Sequence, residues 1–320
     1  MKPTKRQIIS LIKEKNWVQL GILIRSGVLN PNWTAPAVEA DVRLLTIAIE
    51  YGAEELAIQL INAGANVNYI ENDGLSPLMK ACQFRLHGVI EALIKAGADV
   101  NMKASKCYES GNGGHTALIM AAEQSDLWAV RRLIRAGADV NAVTRFDESA
   151  LFWAGFGGGL DCYADLSVAK ELVKAGVQWR GNELHIPVLR RDVRMVKFFV
   201  ESGCPVNGQI QFLSKDRRFV GIKKGDTPLM IAVRKTIREM FNIEAGPVFH
   251  HAIQRAVIPK RETLADLNRR RAAIIKFLLE KGADPTIPNA EGETVHDIAS
   301  RLGDTLALRY LKKFSTGKPR

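Results

Sequence analysis

In the stretch GVIEALIKAG, apolar side chains recur at Val89, Ile90, Leu93 and Ile94. That spacing lines one face of an α-helix. Just upstream, SPLMKAC at 76–82 turns Leu78, Ala81 and Cys82 to a helical face of its own. Ser76 is a residue type that caps helix N-termini, and Pro77 stands where the first turn needs no N–H. Gly97 then closes the second helix in the left-handed conformation that glycine adopts at little cost. The pattern predicts two short helices closed by a glycine turn.

The same phrase returns along the chain. LIKAGADVN at 93–101 and LIRAGADVN at 133–141 differ only at Lys95 and Arg135, and LINAGANVN at 60–68 is a looser copy. Counting back 21 residues from the glycines reaches a first-helix start each time: RLLTIAI before Gly64, SPLMKAC before Gly97 and TALIMAA before Gly137. NELHIPV precedes Gly203 and RQIISLI precedes Gly27 at the same distance. SALFWAG leads to Gly176 and TPLMIAV to Gly282 with extra residues between, and TVHDIAS opens a last unit. One such unit cannot bury its apolar face alone, so the units are expected to stack around a shared core.

Eight units of this kind resemble the ankyrin repeat: a β-turn, a TPLH-type helix start, a short helix, a second helix and a Gly-Ala-Asp end. The resemblance implies an all-α repeat solenoid with β-turn fingers, one domain over 1–320. Its units run approximately over 4–33, 41–70, 71–103, 112–144, 145–179, 180–207, 224–286 with an insertion at 236–270, and 288–316. It also implies partner contacts from the fingers and from positions seven and eight after each first-helix start. Those positions are Glu50 and Tyr51, Gln83 and Phe84, Glu123 and Gln124, Phe156 and Gly157, Leu189 and Arg190, Arg234 and Lys235. The finger candidates are Asn72, Asp73, Arg145 and Phe146. His185 and His296 fall in or beside the TPLH position, where the resemblance implies bonds to turn backbone.

The spacing breaks in two ways. From glycine to the next helix start the regular step is 12 residues, but Gly97 to Thr116 takes 19 and Gly203 to Thr227 takes 24. These additions lengthen fingers, and IQFLSKDRRFVGIK reads as a β-hairpin of two short apolar strands around a polar turn. Gly176 to Asn182 is only 6, so one turn is missing. Between helices, Ser149 to Gly176 takes 27 residues, and Thr227 to Gly282 takes 55, the latter with helical stretches of its own. Insertions in repeat proteins map to loops on one face, often the binding face.

Charge sharpens the second break. The chain carries a formal +11, and 208–281 holds sixteen basic against seven acidic residues. Nine of the eleven excess charges therefore lie in one stretch, the candidate electrostatic footprint. Lys215, Arg217, Arg218, Lys223, Lys224, Arg269, Arg270 and Arg271 are its candidate contacts to a polyanion or an acidic partner.

No apolar run approaches the roughly 18 residues of a membrane span. Four cysteines in 320 residues are no disulfide framework. A reduced cytoplasmic protein is expected, or one delivered into a host cell without a recognisable signal, monomeric on its own. Cys82 and Cys204 occupy small core positions. Cys107, His115 and Cys162 lack metal-ligand spacing, GNGGH and FGGGLD lack the order of phosphate loops, and no cofactor or catalytic set is implied. The leading expectation is a non-catalytic scaffold that binds a partner protein through a groove and fingers. The irregular repeats resemble divergent ankyrin proteins of bacteria and their viruses, which implies a modulator of a host protein. The alternative is nucleic-acid or polyanion binding through 208–281.

Overall fold

The structure, a computed structural model, describes residues 3–35, 42–105, 113–155, 166–211, 222–234 and 264–315. It divides into two compact units, Met1–Arg145 and Phe146–Arg320. Among the described residues, each holds four helix pairs.

In the first unit the pairs are α1 (Lys5–Lys13) with α2 (Trp17–Arg25), α3 (Leu44–Glu50) with α4 (Glu54–Asn62), α5 (Pro77–Gln83) with α6 (His87–Lys95), and α7 (Ala117–Glu123) with α8 (Leu127–Arg135). Hydroxyl caps start α5 and α7: Ser76 accepts from Met79 N and Thr116 from Ile119 N. First helices pack on first helices and second on second, α3 on α5 on α7 and α2 on α4 on α6 on α8. The seven-residue α5 buries six of its residues, while the longer α6 buries only Val89, Ile90 and Leu93. The first helices α3, α5 and α7 are thus covered nearly all round, while the second helices carry one apolar stripe.

Gly97 and Gly137 have φ of +82° and +89°. A Cβ at either would meet nothing within 4 Å, so glycine is required there by backbone conformation and not by space. The residues after them form a ladder. Asp99 Oδ1 accepts from Asn101 N at 2.9 Å and closes the local turn. Asn68 Oδ1 accepts from Asp99 N at 2.8 Å, and Asn68 Nδ2 donates to Gly97 O at 2.9 Å. The final Asn of each phrase therefore clasps the Gly-Ala-Asp backbone of the next.

Fingers differ between repeats. The first carries a small antiparallel pair, β1 (Thr34–Ala35) with β2 (Val42–Arg43), which the spacing did not signal. The lengthened finger after Gly97 closes at a neck, where Ala104 N donates to His115 O and Gly114 N to Ala104 O, both at 2.8 Å.

In the second unit the pairs are α9 (Ala150–Ala154) with α10 (Leu166–Lys174), α11 (His185–Leu189) with α12 (Val193–Glu201), α13 (Pro228–Val233) with α14 (Leu264–Glu280), and α15 (Val295–Arg301) with α16 (Thr305–Ser315). The Asn clasp survives the long insertion: Asn207 Oδ1 accepts from Asp284 N at 2.8 Å, and its Nδ2 donates to Gly282 O at 3.2 Å. Where a turn is missing after Gly176, buried Glu183 accepts from Arg180 N and Gly181 N, each at 3.0 Å. The expected β-hairpin at 210–223 lies mostly outside the described residues. Its base is seen, with Ile210 N donating to Asp226 O and Gly225 N to Ile210 O. Among the described residues, no helix is long and apolar enough to cross a membrane.

Candidate functional site

Four of the first helices end the same way. Tyr51, Phe84, Gln124 and Arg190 are the C-cap residues of α3, α5, α7 and α11. The next residue takes positive φ: Gly52 +66°, Arg85 +56°, Ser125 +52° and Arg191 +56°. The chain then closes by a backbone bond five residues back, as Leu86 N to Ala81 O at 3.0 Å. This closure holds the C-cap side chain off the helix it ends. Tyr51 is 55% and Phe84 45% exposed.

Aromatic neighbours extend this surface in the first unit. The Trp17 ring lies 5.6 Å from that of Tyr51, and Lys15 Nζ stands 5.4 Å over the Tyr51 ring. Trp128, 41% exposed, stacks on His87 with centroids 4.4 Å apart. His87 Nε2 lies 2.6 Å from Asp126 Oδ2, and Asp126 in turn caps α8 through Ala129 N. Trp128 and Trp17 were not among the expected site residues. The signal for Trp128 was present, because the buried stripe of α8 runs through Ala129, Val130 and Leu133 and leaves Trp128 outside it.

The other expected contacts of this unit divide. Asn72 and Arg145 are exposed; Gln83, Glu123 and Gln124 are half-buried. Asp73 is engaged internally: its Oδ1 accepts from Leu75 N at 3.0 Å, and its Oδ2 pairs with Lys80. Lys80 Nζ also reaches Glu50 Oε1 at 2.5 Å, with the Lys80 side chain only 4% exposed. Burial disfavours this ammonium, but the hydrogen bonds and charges of Asp73 and Glu50 more than offset it, so its pKa stands above the ordinary 10.5.

In the second unit the described part of the basic stretch is less available than its charge implies. Arg271 is the clear correction: it is buried, not a surface contact. It lies on the inward stripe of α14 with Leu267, Ile274 and Leu278, three or four residues from its neighbours. It donates to Ala232 O at 2.9 Å and to Val233 O at 3.2 Å, and pairs with Asp304. Arg234 is bidentate to buried Asp226, Nε to Oδ2 at 3.1 Å and Nη2 to Oδ1 at 2.9 Å. Lys223 pairs with Glu291 and Glu293. Arg269 is exposed and pairs with Asp266, Lys224 is exposed, and Phe146, Arg190 and Arg270 are half-buried. Phe156, Lys235, Lys215, Arg217 and Arg218 lie outside the described residues.

Residues 29–104 and 45–144 match the family model of ankyrin repeats in three copies. Residues 29–144 of the chain are ankyrin repeats. It is 36% identical over 122 residues to Neurogenic locus notch homolog protein 1 of Xenopus tropicalis, covering 38% of this chain and 5% of that protein. It is 36% identical over 97 residues to a putative ankyrin repeat-containing protein of Treponema pallidum (strain Nichols), 30% of each. The matched stretch thus spans less than a third of these relatives' lengths. Among solved structures, the ankyrin repeat domain of human ASB11 superposes with a TM-score of 0.56 at 20% identity, covering 87% of this chain and all of that one. The ankyrin repeat domain of Bcl-3, of the IkappaB family, gives 0.52 at 20% identity, with 84% and 97% covered.

The ankyrin histidines behave unequally. His185 is fully buried, with Nδ1 2.9 Å from Asn182 O and Nε2 3.0 Å from Asp226 O, backbone contacts of the implied kind. His296 is exposed and meets Ser300 Oγ at 3.4 Å instead. It lies inside the first turn of α15, past the cap Thr294, one residue beyond the place His185 takes after Leu184. Cys82 and Cys204 are buried core thiols, and burial raises both pKa values.

Proposed function

We propose that the protein is a recognition scaffold whose first unit holds a partner protein by the aromatic surface of Tyr51, Phe84 and Trp128. Ankyrin repeats generally mediate protein–protein interaction. One observation supports this reading most: Val18, Ile22, Tyr51, Ile70, Phe84 and Trp128, the exposed large hydrophobics among the described residues, all belong to the first unit. Exposed aromatics with charged and polar neighbours are the side chains that dominate interface energy. The helix ends that carry Tyr51 and Phe84 are rigidly closed, so binding orders little backbone. The proposal treats the eight helix pairs as eight repeats of one non-catalytic domain. Polyanion binding through the basic stretch is the weaker reading, because Arg271, Arg234 and Lys223 already have partners inside the chain.

The test is affinity capture with mass spectrometry, followed by titration of the captured partner. Tyr51→Ala with Phe84→Ala, and separately Trp128→Ala, are expected to weaken binding about 30-fold or more at unchanged thermal stability, as hot-spot truncation does. A partner that binds both variants as tightly as the parent protein would overturn the proposal.

A further inference from the structure

Arg191 holds the left-handed turn between α11 and α12 and is 5% exposed. Its backbone is bonded, N to Val188 O at 3.0 Å. Its guanidinium has no hydrogen bond and no ion pair among the described residues. The adjacent Asp192 is engaged elsewhere, its Oδ1 accepting from Arg194 N and Met195 N at the start of α12. The charge that reaches Arg191 is that of Arg271, of the same sign; burial first and this charge second lower its pKa to about 10.

Arg191, Arg234 and Arg271 line one cavity, with walls of Val188, Ile231 and Ile274. Asp226 compensates Arg234 and Asp304 compensates Arg271. Arg191 is the one of the three with no carboxylate among the described residues. A buried guanidinium without a partner is costly, so a site built this way favours an anion that supplies one. The cavity measures about 10 Å³, room for roughly one water-sized atom. That is room for one oxygen of an anion.

We propose that Arg191, with Arg234 and Arg271, forms a binding site for a small oxyanion, a carboxylate or phosphate that inserts one oxygen. Guanidinium geometry suits both groups. The site is in the second unit and is independent of the aromatic surface of the first.

The test is thermal unfolding of the full chain with sodium phosphate and, separately, sodium acetate, each against sodium chloride at matched ionic strength. Phosphate binding is also read directly by ³¹P line broadening. Arg191→Asn is the control, because asparagine tolerates the left-handed turn. The expected result is a saturable rise in Tm, on the order of 3 °C at ten times Kd, in phosphate or acetate. The rise should be absent in Arg191→Asn, which without oxyanion should melt no lower than the parent. The two salts separate a phosphate site from a carboxylate site. Equal shifts in parent and variant, or no shift in either salt together with no ³¹P broadening in phosphate, would overturn the proposal.

Discussion

Asn101 grips Asp139 and its turn with both ends of its amide. Oδ1 accepts from Asp139 N at 2.8 Å, and Nδ2 donates to Gly137 O at 3.0 Å. Asn68 and Asn207 repeat the contact on Asp99 and Asp284. The Asn that closes each phrase thus fastens one repeat to the next, while the Asp before it shapes its own turn.

Asn101→Ala removes both bonds and leaves a backbone donor and acceptor to water. Each is worth about 1 kcal/mol, so a loss of roughly 2 kcal/mol is expected. Asn101→Asp keeps the acceptor and should lose about half as much. Urea denaturation checks this, with a lower midpoint at unchanged slope.

Lys80 separates pairing from burial. Its ammonium is held by Asp73 and Glu50, and Glu50 is 41% exposed, so solvent weakens that arm. Asp73→Asn with Glu50→Gln strands a buried ammonium and should cost about 2 kcal/mol, whereas Lys80→Met should cost less. The raised pKa adds a signature at high pH. A lysine with a raised folded pKa contributes stability that is complete below its unfolded value, near 10.5, and is lost as pH rises through the folded value. Denaturation series from pH 9 to 11 should therefore fall more steeply for the parent than for Lys80→Met.

Features set by nearby residues were legible in the sequence. Ser76, Pro77 and Gly97 mark a helix start and a turn within one repeat, and the structure places the cap and the positive φ there. Roles set by residues 30 or more positions away were not. Lys80 is held by Glu50 of the preceding repeat, 30 positions away, and with it Asp73 of the finger is drawn in. Arg271 was legible but misread: counting charge put it on the surface, while its spacing from Leu267 and Ile274 put it inside. Its partner Asp304 lies in the next repeat, which no local pattern announces.

Asp226 is the hub that makes Arg234 tolerable. It is fully buried, and besides Arg234 it accepts from Lys223 N at 2.7 Å and Asn289 Nδ2 at 3.1 Å. Asp226→Asn keeps the shape and removes the charge, so a buried guanidinium loses its counter-ion. A loss of about 3 kcal/mol is expected, measured by the urea midpoint. Leu29→Ala, whose buried side chain lies in the first unit, would serve as a control for general cavity cost.

His185 should make the fold sensitive to mild acid. Complete burial lowers its pKa below the ordinary 6.5; its two carbonyl contacts and the Asp226 carboxylate oppose the shift without cancelling it. Below pH 6.5 the unfolded chain takes up a proton that the folded imidazole refuses. The unfolded state then binds more protons, so stability falls as pH falls, by at most about 1.4 kcal/mol per pH unit until the folded value is reached. Urea midpoints between pH 7 and 5 should drop for the parent. His185→Gln, which has no titration here, should lose that slope while being less stable at pH 7. Parallel pH profiles for the two proteins would show that His185 titrates alike in both states, and the burial argument would be wrong.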